Sequence, residues 1–314
     1  MNNSSNHPKK RAVLLLAHGT PGTAEDVPAY MRNVTSGRPI PEAVMEEVKH
    51  RYGLIGKSPL TEITLEQADA LRRKIRVPVY VGMRNWHPYV SDATRQMAQD
   101  GVQEIVAICL APQNSRTSVG LYKRAAYAEA GEKIRIEFVE SWHNHPLLVA
   151  AFAEKLDEAW RKSPLGTKVV FTAHSVPERT IDSGDPYAEQ ARETAALVAQ
   201  MAGLTEKDYA FAFQSQGMSG GPWIGPTAEE TLQGLRASGV RDVLIQPVGF
   251  VCDHVEVLYD IDIAFRKLCG ELGLGLRRTD SLNTSDTFIR ALAELAKEGL
   301  AALEKSQLID QAVD

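Results

Sequence analysis

The chain has 314 residues, 44% hydrophobic and 24% charged, with a formal net charge of −5; that suits a globular protein of two halves of about 150 residues and argues against a nucleic-acid surface. Three cysteines, Cys109, Cys252 and Cys269, lack C-x-x-C spacing and read as reduced thiols of a cytoplasmic protein, not as a disulfide frame or metal cage. The apolar runs are strand-sized, far short of the ~20 residues a membrane span needs.

Residues 1–10 are polar and read as a disordered lead-in. Ala12-Val-Leu-Leu-Leu-Ala17 suits a strand buried on both faces, ending at His18-Gly-Thr-Pro21. Helical patterns follow at 25–34, 41–52 and 64–75, separated by the loops 36–41 and 53–60. A strand at 77–82, a helix at 90–100, a strand at 102–110, a helix at 119–132 and a strand at 135–139 complete an N-terminal α/β half, 11–145. The C-terminal half, 146–314, repeats the plan: helix 147–161, strand 169–173, helix 187–201, strand 209–213, helix 227–238, strand 240–248 and terminal helix 286–304. Alternating strands and helices predict two parallel sheets, each flanked by helices, facing one another across a cleft.

An internal echo supports the duplication. Ala17-His-Gly-Thr-Pro21 and Ala173-His-Ser-Val-Pro177 share Ala-His-x-x-Pro at an offset of 156 residues (174 − 18). Gly101-Val-Gln-Glu-Ile-Val106 and Gly239-Val-Arg-Asp-Val-Leu244 form a second pair. Ligands of such sheets sit beyond the carboxyl ends of the strands, which is where His18, Gln113, His174 and Phe250 fall. No G-x-G-x-x-G follows a strand and no phosphate-loop or G-x-S-x-G motif is present. Gly217-Met-Ser-Gly-Gly221 reads as a flexible loop without a phosphate-loop lysine.

The chemistry concentrates after the strand at 240–248, where Asp253, His254, Glu256 and Asp260 crowd into eight residues. Four ionisable groups at a strand-to-helix turn are costly unless water, a metal or a substrate meets them. A helix would place Glu256 and Asp260 on one face. A neutral imidazole at His174 takes protons near pH 7 or binds a borderline metal, and with Glu256 makes a nitrogen and oxygen pair suited to Fe2+ or to proton abstraction. Arg51, Tyr52, Lys57 and Ser58 read either as a solvated helix end or as an anchor for substrate carboxylates. His143 and His145 read as solvated loop imidazoles, and His87 as structural.

These motifs resemble the ferrochelatase family, most of all the bacterial coproporphyrin type. The resemblance runs from about Val13 to Asn283. It rests on Gly19-Thr-Pro21, Arg51-Tyr52 with Gly56-Lys-Ser-Pro-Leu60, Leu110-Ala-Pro112 with Ser118 and Tyr122, Thr172-Ala-His-Ser-Val-Pro177, Gly184-Asp-Pro-Tyr187, Gln214-Ser215, Pro222-Trp223, Gly225-Pro226 and Pro247 to Asp260. It implies two Rossmann-like halves and insertion of Fe2+ into coproporphyrin III, with protoporphyrin IX insertion, a cobalt or nickel chelatase, and a non-catalytic porphyrin carrier as rivals. It makes His174 and Glu256 the metal and proton-handling pair, Asp260 an outer acidic site, and Thr35, Arg51, Tyr52, Ser58 and Tyr122 porphyrin contacts. It puts His18 where such enzymes often carry an axial Tyr, as a ligand of product iron, and it puts Ala264 where a third acid is frequent. It implies no cofactor beyond the substrate iron, no iron–sulfur cluster, and a monomer that makes transient contacts with neighbouring haem-pathway enzymes.

Overall fold

Eight strands form two four-stranded, wholly parallel sheets among the residues that this computed structural model describes, 9–217 and 221–313. The expected lead-in falls outside them except for Lys9 and Lys10, as do residues 218–220 of the Gly-rich stretch. The first half comprises β1 (Arg11–Ala17), α1 (Val27–Val34), α2 (Glu42–Ile55), α3 (Leu60–Lys74), β2 (Val79–Met83), α4 (Val90–Gln99), β3 (Glu104–Cys109), α5 (Val119–Ala130) and β4 (Arg135–Val139). There follow α6 (Pro146–Trp160), β5 (Lys168–His174), α7 (Glu178–Asp182), α8 (Tyr187–Met201), β6 (Tyr209–Gln214), α9 (Ala228–Ala237) and β7 (Asp242–Pro247). The chain closes with α10 (Val255–Leu258), a π-helical turn at Asp260–Phe265, α11 (Arg266–Leu272), β8 (Gly275–Arg278) and α12 (Asp286–Val313).

The sheet orders, β2-β1-β3-β4 and β6-β5-β7-β8, are one topology used twice. Both echoes have a physical basis in it. His18 follows β1 and His174 ends β5, the corresponding strands of the two sheets. Gly101 and Gly239 end the helices that precede β3 and β7, at φ 74° and 92°, a left-handed turn that favours glycine. In both, the next amide reaches back into the helix, Val102 to Met97 O at 2.9 Å and Val240 to Leu235 O at 3.1 Å.

The inner sheet faces share one core. Val13 and Leu15 of β1, Phe171 of β5 and Leu244 of β7 pack with Phe152 of α6, Val198 of α8 and Leu292 of α12. Burying such side chains stabilises by roughly 2 kcal/mol each, which fixes the two sheets against the same helices. Helix α12 lies on α3, β3, β4 and α6. Thus the C-terminal helix covers the first sheet; a Cβ at Gly299 would come within 2.5 Å of Val106.

Several boundaries moved. The expected helix through Glu256 and Asp260 is instead the four-residue α10 followed by the π turn, in which Ala264 N bonds Tyr259 O at 2.9 Å, five residues back. The short elements α7, α11 and β8 escaped the periodicity reading, and α12 runs past Glu304 to Val313.

Candidate active site

The site starts from the ends of β5 and β7. A Cβ at Gly249 would lie 2.9 Å from Ala173 Cα, so glycine lets the turn after β7 rest against the end of β5. His254 then caps α10, its Nδ1 accepting from the Glu256 amide at 3.1 Å. This places Glu256 Oε1 3.0 Å from His174 Nε2. The His174 Nδ1–H donates to the Ser175 carbonyl, so Nε2 is the nitrogen that faces the carboxylate. The two side chains keep 30% and 36% of their surface open.

Burial disfavours the imidazolium, but the Glu256 charge and hydrogen bond outweigh it and lift His174 to about 9. Burial would likewise raise Glu256, and His174 brings it down to about 2. Each partner thus favours the charged form of the other, imidazolium beside carboxylate. Asp260, 7% exposed, is pushed up by burial, pulled down by the Ser215 hydroxyl and pushed up again by Glu256, to about 6. Asp253, from the same acidic cluster, is a strut. It accepts from Ser281 at 2.7 Å, Asn283 at 2.9 Å and Arg278 at 3.3 Å, while Arg278 also forks onto Asp262 at 3.0 and 2.9 Å.

The other half contributes His18 and Arg51. The His18 Nε2 lies 2.9 Å from the Tyr30 hydroxyl and 3.0 Å from Asn85 Nδ2. Burial, then Arg84, lowers His18 to about 4, so it is neutral. Glu256, His254 and His174 are near enough to act on its charge. Arg51 bonds Glu47 at 2.8 Å, stands 3.6 Å from Asp260 Oδ1 and lies 4.8 Å from the Tyr259 ring centroid, linking the halves. Tyr30 meets Tyr52 and Trp86 edge-on, making an aromatic wall beside His18.

The remaining expected contacts are less accessible than their sequence context suggested. Tyr52 is buried, its hydroxyl 3.1 Å from Thr20 Oγ1 and its pKa raised by burial to about 12. Tyr122 is buried with Arg84 above its ring, and burial drives its pKa up as well. Ser58 is fully buried. Thr35 closes α1, its hydroxyl 3.1 Å from Met31 O and 3.0 Å from Arg38 O. Gln113 joins the halves, donating to Thr194 and Val248 O at 3.1 Å each. The solvated reading of the His143 pair is corrected: buried His143 sits between Ser141 at 2.7 Å and Glu193 at 2.9 Å, and His145 caps α6. Tyr30, Arg84, Asn85 and Ser215 were not assigned to the site from sequence, whereas His254 was counted in the cluster after β7 without a role of its own. The strand-end rule, applied to β2, points to Arg84 and Asn85.

Two like parallel halves, with a histidine–carboxylate pair at the strand ends of one and a second imidazole from the other, define the chelatase fold. SirB from Bacillus subtilis, solved with Fe3+, shares it at TM-score 0.62 and 14% identity, covering 94% of this chain and 98% of that one. CbiX, the terminal enzyme of siroheme biosynthesis in denitrifying bacteria, does so at TM-score 0.53 and 17% identity, covering 92% and 99%. The ferrochelatase family model matches residues 10–300. The ferrochelatase of Acidobacterium capsulatum is 54% identical, covering 95% of this chain and 97% of that one. The coproporphyrin III ferrochelatase of Halalkalibacterium halodurans is 38% identical, covering 94% and 99%. The chain belongs to the ferrochelatase family, whose members are metal-inserting enzymes.

Proposed function

We propose that the chain inserts Fe2+ into coproporphyrin III to give iron coproporphyrin. The observation that carries the insertion chemistry is the His174–Glu256 pair, 3.0 Å apart with about a third of each side chain exposed, near enough to neutral His18 to act on its charge. The ring gives up two N–H protons as one Fe2+ enters, and the iron stays ferrous. His174 must shed its Nε2 proton before it can accept one. A divalent cation arriving at Glu256 cancels the charge that holds the imidazolium, so metal delivery and release of the base are coupled. Among the described residues no three His, Cys, Asp or Glu side chains cluster to hold a metal ion. The carrier reading is less favoured, since a carrier needs an axial ligand and not an ion pair.

The exposed cations of residues 38–57 suit a substrate with four propionates. Arg38 and Lys57 are exposed and Arg51 half-exposed, and Leu54 is the large apolar side chain exposed in that stretch. The relatives named as coproporphyrin III ferrochelatases point the same way, at 38% identity in H. halodurans and 35% in B. subtilis, although the 54% identical relative carries the unqualified name. The test is anaerobic turnover of coproporphyrin III and protoporphyrin IX side by side. Coproporphyrin III should win in kcat/KM by about tenfold, the scale of one charge-assisted contact. A faster reaction with protoporphyrin IX would overturn the substrate, and binding without insertion into either would favour a carrier.

A further inference from the structure

We propose that Ser215 is a positioning residue for Asp260, aiming its carboxylate at the insertion site and keeping it from collapsing onto Arg51. The inference rests on the metal-insertion reading and deepens it.

Ser215 directly follows β6 and has φ 62°, in the left-handed region that is disfavoured for any residue with a Cβ and free for glycine. What a glycine would lack here is the hydroxyl, and that hydroxyl donates to Asp260 Oδ2. The residue before it has a parallel task. Gln214, 1% exposed, donates from Nε2 to the Glu256 carbonyl at 2.8 Å and lies 3.3 Å from Ser215 Oγ. Consecutive residues at one strand end thus hold both acids of the site, Glu256 by its backbone and Asp260 by its carboxylate. A strained conformation kept where its side chain grips a site carboxylate points to function.

The opposing pull comes from Arg51 Nη1, which already pairs loosely with Asp260 Oδ1 at 3.6 Å. A closer, hydrogen-bonded Arg51–Asp260 pair would offset more of the negative charge that attracts a divalent cation. Ser215 is a neutral donor, so it fixes the carboxylate and leaves its charge in place. Without the hydroxyl the carboxylate is free to swing to the guanidinium, and the approaching metal loses one of its two acids.

The test is Ser215→Gly, which removes the hydroxyl and relaxes the backbone, assayed for KM of Fe2+ and KM of porphyrin separately. KM for Fe2+ should rise roughly tenfold, the scale of one hydrogen bond to a charged group, with porphyrin KM and thermal midpoint held. In an Asp260→Asn background the same substitution should change the metal KM less than about twofold, since the coupled partner is gone. An unchanged metal KM in Ser215→Gly, with the parent active, would overturn the inference, and so would an effect that persists undiminished in the Asp260→Asn background. A parent that inserts no metal into either porphyrin would overturn the insertion reading itself, and this inference with it.

Discussion

Replacing Asp260 by asparagine should stabilise the protein at neutral pH while slowing insertion. The Asp260 carboxyl titrates at about 6 in the fold against 3.8 for an unperturbed group, because burial and then the Glu256 charge oppose its ionisation more than Ser215 and Arg51 favour it. A carboxyl whose folded pKa is raised binds its proton more tightly when folded. Its contribution therefore favours folding at low pH and is lost as pH rises from 3.8 through about 6. Above that window the difference of about two pKa units costs up to about 3 kcal/mol. The side chain is only 10% exposed, so little of this is screened by water. Asparagine stands in for the protonated carboxyl and keeps an acceptor for Ser215, and the Arg51 attraction is already contained in the titration at about 6. The net gain should approach about 3 kcal/mol near pH 7.5 and be close to zero near pH 4, read from urea unfolding at both. A variant less stable than the parent near pH 7.5, or equally stabilised at both pH values, would refute the account of this carboxylate. The gain in stability beside a loss of turnover would mark Asp260 as a group held at a cost for its chemistry.

His174→Ala should lower kcat by at least about a hundredfold, the scale of a lost general base, with circular dichroism unchanged; retained turnover would remove the imidazole from proton transfer. Glu256→Gln should lower the His174 titration from about 9, since burial is then opposed only by the Ser175 carbonyl and the Asp260 charge; the shift is measured by NMR of the imidazole, and a titration that stays near 9 would place the raising charge elsewhere. His18→Ala should leave the absorption spectrum of bound iron coproporphyrin unchanged, because the His18 Nε2 is already engaged by Tyr30 and Asn85; a changed spectrum would show that His18 releases both partners to ligate iron.

The duplicated fold was legible because each sheet's central strands are continuous apolar runs and the motif Ala-His-x-x-Pro closes corresponding strands, β1 and β5. Topology then brings both histidines to strand ends, and that much follows from order along the chain. The charge on each imidazole does not. His174 is cationic because Glu256, 82 residues later (256 − 174), lies 3.0 Å away, whereas His18 is neutral because burial and Arg84 act on it without a carboxylate in contact. Exposure was illegible for the same reason. Ser58 stands in a loop whose composition suggests solvent, yet it is fully buried. The acidic line shows the limit most sharply. Glu256 and Asp260 read as one helical face in any α pattern, but the bond from Ala264 N to Tyr259 O widens the turn, and Asp260 meets Ser215 of β6's end and Arg51 of the other half. The functional environment of Asp260 is therefore set by residues distant in sequence on both sides, and only the folded chain brings them together.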